Sequence, residues 1–243
     1  MSLSRRHKFT IGALILYWTI LFVLAHIPIP QVVRRAHVSD KSLHFLAYLI
    51  LSFLLWYALN PNRKVNWRRA AAWWVFLAIA VYGVIDELLQ GLMVERSCDV
   101  RDYIANLVGT LTGMILCSLL NFWLALLIAV GISIFTLTNV ARANLTDLIP
   151  ITNAMFQFFA YGFFTLVWVQ NIHLYLSPKF RKGKWIIASV APPIVFLLCV
   201  KLFSKILGRE FFIKDMLIST AGIITSLFLL GLIGLIRKSR GKF

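Results

Sequence analysis

The sequence predicts an all-α, polytopic membrane protein with about eight transmembrane helices, arranged as two parallel four-helix repeats. Three observations predict this class. The 243 residues are 60% hydrophobic, with a mean hydropathy of +0.82, which is typical of an integral membrane protein. Basic residues are concentrated in alternate loops between long apolar runs. Finally, shifting the chain by 113 residues without gaps places each apolar run of the first half on one of the second.

Eight apolar stretches are long enough to cross a bilayer, which requires about 20 residues in a helix. They are Phe9–Ile27, Leu43–Leu59, Ala70–Gln90, Tyr103–Leu120, Phe122–Val140, Ala154–Leu176, Trp185–Ser204 and Met216–Ile236. The first follows a basic segment, as a signal peptide would. No small-residue cleavage site follows it, so we interpret it as a retained membrane anchor.

The net charge of +16 comes from 25 basic and 9 acidic residues. In a soluble protein this excess would suggest nucleic acid, but here it follows the positive-inside rule. Most basic residues, and no acidic ones, lie in the N-terminus, the loops around Lys64 and Lys182, and the C-terminal tail. We therefore predict a multi-pass membrane protein with both termini cytoplasmic. Its predicted partners are membrane lipids and no nucleic acid, and the oligomeric state stays open.

The 113-residue shift also aligns polar and glycine residues, which match by chance less easily than apolar ones. The aligned pairs include HFLAY (44–48) with QFFAY (157–161), Arg96 with Arg209, Asp102 with Asp215, Gly109 with Gly222 and Thr112 with Thr225. Each half has an even number of spans, so the repeats would have the same orientation. The predicted domains are a four-helix unit at 1–121 and a degenerate repeat at 122–243.

The second repeat lacks most ionisable residues of the first. Gln157 stands opposite His44, Val200 opposite Glu87, and Ser219 opposite Asn106. We therefore predict that the first half carries binding or chemistry.

Three predicted helix ends of the first half bring polar residues to the outer surface. They contribute Asp40, Lys41, His44 and Tyr48, then Glu87 and Gln90, then Arg96, Asp99, Asp102 and Asn106. The last helix continues its polar stripe into Gly109 and Gly113, which would let another backbone approach closely. If the ends converge, they form an outward polar pocket, with His44, Glu87 and Asp102 as candidate catalytic residues. The candidate ligand-binding residues are Asp40, Lys41, Tyr48, Gln90, Arg96, Asp99 and Asn106.

Each of these residues also has a structural interpretation. Asp99 suits a helix N-cap, with Asp102 favouring the positive helix end. Arg96 suits contact with lipid headgroups, and His44 could be a packing residue. Glu87 precedes further apolar sequence, so we expect it to be buried and either paired or protonated.

Neither a metal nor a cofactor is predicted. His26, His37 and His44 with Asp40 form no compact ligand motif. The three cysteines are scattered, which suggests neither a disulfide framework nor a zinc site. No nucleophile elbow and no phosphate-binding loop occurs in the sequence.

The segments SDKSLHFLAY, YGVIDELLQ and ERSCDVRDYIANLVGTLTG resemble the VanZ-like family of bacterial membrane proteins. The resemblance covers roughly residues 9–120. It implies a multi-pass protein of the cell envelope. The founding member is associated with low-level resistance to the glycopeptide antibiotic teicoplanin, and the family has no settled biochemical activity.

Three functions are compatible with these features. In the preferred function, the protein binds an amphiphilic ligand such as a lipid headgroup or a polyprenyl-phosphate-linked precursor. In an extended version, it also modifies this ligand. In an enzyme, His44 and a carboxylate would share proton transfer. The alternatives are a proton-coupled lipid or small-molecule transporter, and a structural partner of an envelope enzyme. A polar path across the bilayer would favour transport, whereas a site closed below Tyr48 would favour a binder or an enzyme.

Overall fold

The computed structural model describes residues 4–26, 39–61, 63–93, 98–140, 150–175, 182–208 and 213–240. Within these ranges the chain forms eight α-helices and no strand. The helices are α1 (Arg5–His26), α2 (Asp40–Leu59), α3 (Ala70–Gly91), α4 (Val100–Leu119), α5 (Phe122–Phe135, continued by a π-helical turn at Thr136–Val140), α6 (Pro150–Tyr175), α7 (Lys182–Ile206) and α8 (Ile213–Arg240).

The predicted class of an all-helical polytopic membrane protein is confirmed. All the helices except α6 are long and apolar enough to cross a membrane, which gives seven candidate spans in the described residues. Several helices begin one turn before their apolar run: α2 starts at Asp40 and α4 at Val100. The reason is that the first N–H groups of a helix lack partners inside it, so a polar first turn is favourable.

The chain separates into two compact units. Unit 1 extends to Ala129 and unit 2 begins at Val130, with Val140 assigned to unit 1. The division therefore falls within α5, whereas the sequence places a domain boundary at 121/122. The two predicted domains stay predictions, and each unit is described by itself.

Unit 1 is centred on the packing of α2 against α4. Gly109 lies against the carbonyl oxygen of Phe45, so closely that a Cβ atom there would overlap it. A Cβ at Gly113 would lie 2.7 Å from the carbonyl oxygen of Leu49. The two glycines therefore permit backbone-to-backbone approach, as the sequence stripe predicts. Helices α1 and α3 pack around this pair.

The two ends of unit 1 carry opposite charge. At one end, His7 Nε2 lies 2.8 Å from the carbonyl oxygen of Ala58, and Lys64 Nζ donates to the carbonyl of Leu119 at 2.7 Å. A cavity of about 800 Å³ at this end is lined by basic side chains and by no described acidic residue. The cationic residues lining it are Arg63, Lys64, Arg68 and Arg69. The described acidic residues of unit 1 lie on the other ends of the helices, so this cavity is separate from the predicted outward site.

We predict that the basic end of unit 1 faces the cytoplasm, together with both termini and the loop around Lys182. Single cysteines placed at Lys64 or Lys182 in a variant lacking Cys98, Cys117 and Cys199 should resist an impermeant thiol reagent in intact cells. They should react after lysis. Labelling of these positions, or of the C-terminal tail, without lysis would contradict the predicted topology.

Candidate ligand site at the acidic end of unit 1

The starts of α2 and α4 and the end of α3 meet at the acidic end of unit 1. His44 Nδ1 lies 3.6 Å from Glu87 Oε1, and His44 Nε2 lies 3.9 Å from Asp40 Oδ1. Atoms of Asp40, His44 and Asp102 that could bind a metal all lie within 4.8 Å of one another. The structure therefore brings together His44, Glu87 and Asp102, which three separate segments of the sequence contribute. We call Asp40, Lys41, His44, Asp86, Glu87 and Asp102 the His44 cluster.

The His44 ring is held by a buried hydrogen bond between α2 and α4. Its Nδ1 lies 3.0 Å from Oδ1 of Asn106, whose side chain is fully buried. An amide oxygen only accepts, so in this geometry Nδ1 carries the proton. In the neutral ring, Nε2 then has a free lone pair, and it faces Asp40.

Asp86 is a site residue that the sequence analysis did not select. It is buried, and its Oδ2 accepts hydrogen bonds from Tyr48 Oη at 3.3 Å and from Gln90 Nε2 at 3.0 Å. Its other oxygen lies 3.9 Å from His26 Nε2. The spacing of Asp86 and Gln90, four residues apart on one helix, is a signal that could have identified this pair.

Asp99 caps helix α4, as its structural interpretation predicts. Its Oδ1 accepts from the backbone N–H of Arg101 at 2.8 Å. Its own backbone N–H donates to Glu87 Oε2 at 3.3 Å, so the cap also positions Glu87. Lys41 Nζ lies 3.7 Å from both Asp99 and Asp102. Arg96, the remaining predicted site residue, lies outside the described residues.

Several polar atoms of the site are buried without a hydrogen-bond partner. They are Asp86 Oδ1, Glu87 Oε1, Asp102 Oδ1 and Asn106 Nδ2. Asp86, Glu87 and Asp102 are at most 6% exposed. Buried polar atoms in native proteins are nearly always partnered, and removing a carboxylate from water is costly unless it is compensated. The three carboxylate oxygens each lie 3.6–3.9 Å from a basic side chain, of His26, His44 and Lys41 respectively, which is too far for a hydrogen bond. The site can therefore accept a further donor or a cation.

Below the cluster, the core of unit 1 is largely apolar. Leu51, Ile79 and Met114 are each at most 2% exposed and belong to the same buried apolar cluster as Tyr48, whose hydroxyl donates to Asp86. The hydroxyl of Thr110 donates to a carbonyl of its own helix. Among the described residues, no acidic or basic side chain links the cluster to the basic end of the unit.

Unit 2 has a different polar site at the positions that the 113-residue shift relates. Ser219 Oγ donates to Gln157 Oε1 at 3.0 Å, at the positions of Asn106 and His44. Asp215, at the position of Asp102, accepts from Asn153 at 3.0 Å and from Lys201 at 3.2 Å. Gly222 lies against the carbonyl oxygen of Phe158, just as Gly109 lies against Phe45. These matched contacts support the repeat, which stays a prediction.

The fold and the site define a polytopic helical membrane protein with a buried acidic site at one end of its first unit. The family model described as VanZ/LLP1 matches residues 5–121. The first half of the chain thus belongs to the VanZ/LLP1 family, and the predicted resemblance is confirmed. No curated protein and no solved structure matches the chain.

Proposed function

We propose that unit 1 binds an amphiphilic envelope ligand through its headgroup at the His44 cluster. The ligand class is a phospholipid or a polyprenyl-phosphate-linked precursor, bound from the outer leaflet of the inner membrane. The observation that carries this proposal is the set of buried polar atoms of Glu87, Asp102 and Asn106 that form no hydrogen bond. The link to teicoplanin resistance that the family resemblance implies is part of this proposal.

The chemistry of the site suits a headgroup that has both anionic and hydrogen-donating parts. Lys41 and Arg101 are exposed at the rim, where they can pair with a phosphate. Asn106 Nδ2 is an unused donor, and the carboxylates of Glu87 and Asp102 accept from hydroxyl or ammonium groups. The acyl or prenyl chains would remain in the bilayer beside the helices.

A catalytic version of this function is favoured by one contact. His44 Nδ1 and Glu87 Oε1 are 3.6 Å apart in a buried setting. A small movement brings them to hydrogen-bonding distance, and such pairs transfer protons in general acid–base catalysis. In this version, His44 exchanges a proton with the bound headgroup, and Glu87 or Asp102 supports the charge on the ring.

The apolar core below Tyr48 favours a binder or an enzyme over a transporter. A proton or substrate pathway needs polar groups along its length, whereas Tyr48 belongs to a buried apolar cluster that includes Leu51, Ile79 and Met114. A purely structural role is less favoured, because a site filled for stability alone would satisfy its own buried polar atoms, as Asp215 is satisfied in unit 2.

The proposal is tested by native mass spectrometry of the full-length protein, purified in a mild detergent that retains lipid. We expect the wild type to retain one lipid class, and His44→Gln to retain it about 10-fold less, because a hydrogen bond to a charged group contributes about 1.5–3 kcal/mol. His173→Gln is the matched control, since His173 is exposed in unit 2. Equal retention by the two variants, or no selective retention by the wild type, would contradict the proposal.

A further inference from the structure

We propose that Asp40, His44 and Asp102 form a binding site for one divalent transition-metal ion of the Zn²⁺ type. The inference begins with the positions of three donor atoms from two helices. One nitrogen or oxygen of each residue lies within 4.8 Å of the others, and His44 Nε2 is 3.9 Å from Asp40 Oδ1. In a tetrahedral zinc site with ligands at 2.0–2.2 Å, the donor atoms lie roughly 3.3–3.6 Å apart. The donor atoms thus need to approach one another by at most about 1.5 Å.

The orientation of His44 matches that of a metal ligand. Its Nδ1–H donates to Asn106 Oδ1 at 3.0 Å, which leaves the lone pair of Nε2 directed to the side where Asp40 lies. Histidines that bind metals almost always donate their other ring N–H to a carbonyl or carboxylate oxygen in this way. Nε2 lies 3.9 Å from the carboxylate oxygen of Asp40, a pair of groups that either a proton on Nε2 or a metal ion between them would stabilise.

A second, independent observation comes from Asp102. This residue is 6% exposed, and its buried Oδ1 has no hydrogen-bond partner. Among the described residues, Lys41 is the one lysine or arginine within 4 Å of the carboxylates of the cluster. Asp86 and Glu87 lie close behind His44 and add negative charge. Among the described residues, a single ammonium group thus faces several carboxylates, and a divalent cation would reduce their mutual repulsion.

Lys41 is the basic side chain that faces Asp102 Oδ1, and a metal ion at this oxygen would replace it. Its side chain is half exposed, and its Nζ is equidistant from Asp99 and Asp102 at 3.7 Å. When a metal binds Asp102, Lys41 can remain paired with Asp99 at the surface. Asp40 is also half exposed, so the ion can enter from the outer end of unit 1.

The metal would give the cluster an affinity for anions. This part of the inference rests on the proposed function: a phosphate oxygen of the headgroup would take the fourth ligand position, beside Lys41. The ion would also reduce the repulsion between the carboxylates of the cluster and a phosphate held by Lys41 and Arg101. With one imidazole and two carboxylate ligands, the site suits Zn²⁺ better than Mg²⁺ or Ca²⁺, which favour oxygen ligands alone.

The experiment measures metal binding by the full-length protein in detergent, without added lipid. The protein is stripped with EDTA, dialysed against Zn²⁺, desalted and assayed for metal by mass spectrometry, and Co²⁺ replaces Zn²⁺ as a spectroscopic probe. We expect one Zn²⁺ per chain and a visible Co²⁺ absorption that Zn²⁺ abolishes. Asp40→Asn should weaken binding at least about 10-fold. Asp99→Asn, the matched charge change, should alter it less than about threefold, because Asn also caps helices.

The inference is overturned if the wild type binds no Zn²⁺ above the level of a membrane protein without such a cluster. It is also overturned if Asp40→Asn binds like the wild type, or if Asp99→Asn loses as much affinity as Asp40→Asn. If Asp40→Asn fails to fold, the wild-type Co²⁺ spectrum is the test, and the lack of a visible absorption that Zn²⁺ abolishes would overturn the inference. Lipid retention without Zn²⁺ binding would overturn the metal site and leave the proposed lipid-binding function standing. Zn²⁺ binding without lipid retention would overturn the proposed function and leave the metal site standing.

Discussion

Substituting Gly109→Ala is expected to destabilise unit 1 strongly, although alanine is the better helix former by about 1 kcal/mol. The added Cβ would overlap the carbonyl oxygen of Phe45, and backbone cannot move aside as a flexible side chain can. Helices α2 and α4 would have to separate, and overpacking of this kind costs about 1–3 kcal/mol or more. The same separation would lengthen the His44–Asn106 hydrogen bond and disrupt the site.

The measurement is the fraction of protein that remains monodisperse in detergent after heating, followed by size-exclusion chromatography. Gly12→Ala is the matched control, because a Cβ at Gly12 meets no atom within 4 Å. We expect the midpoint temperature to fall by several degrees or more for Gly109→Ala and to stay level or rise for Gly12→Ala. A Gly109→Ala protein as stable as the wild type would show that α2 and α4 do not pack as described.

Asp102→Asn and Asp215→Asn are expected to have opposite effects on function and stability. Asp102 Oδ1 forms no hydrogen bond, and the lysine that faces it at 3.7 Å is half exposed, so water can solvate that ammonium group in the amide variant. The variant should therefore fold and reach the membrane in nearly normal amounts. Function should be abolished, because the residue belongs to the proposed binding cluster. Complementation of a phenotype caused by deleting the gene gives the readout, with membrane abundance measured in parallel.

Asp215→Asn should instead reduce abundance. Asp215 pairs with Lys201 at 3.2 Å in a buried setting, and its loss leaves an uncompensated ammonium group. Breaking a buried pair by removing one partner costs about 3–5 kcal/mol. The double variant Asp215→Asn with Lys201→Met removes both charges, so it should recover abundance and retain activity. Equal loss of function from Asp102→Asn and Asp215→Asn at normal abundance would make unit 2 part of the active apparatus.

The sequence predicted those parts of the structure that depend on spacing along one helix. Asp102, Asn106, Gly109 and Gly113 recur at intervals of three and four residues, so they must share a face of α4. The sequence also predicted the close backbone contact of α4 with another helix, since glycines in such a stripe permit close backbone approach. The burial of Glu87 was predicted from the apolar residues that follow it, and the structure confirms this.

The contacts between helices could not be predicted in the same way. The register of α2 against α4 decides that Asn106 meets His44 and that Asp102 lies near Asp40. Helical periodicity does not fix that register, so the sequence predicted that Asp40, His44 and Asp102 converge but not which of their atoms lie close together. The Lys201–Asp215 pair was missed, although a lysine within an apolar span requires a partner and could have indicated it.

The most direct test of the central claim is an experimental structure of the protein in a lipid bilayer that retains co-purified lipid. We expect headgroup density within hydrogen-bonding distance of His44 or Asp102, and acyl or prenyl chains leaving the site between the helices into the outer leaflet. A structure in which the side chains of His44, Glu87 and Asp102 point towards lipid chains, or in which other side chains fill the cluster and leave no space for a headgroup, would contradict the claim.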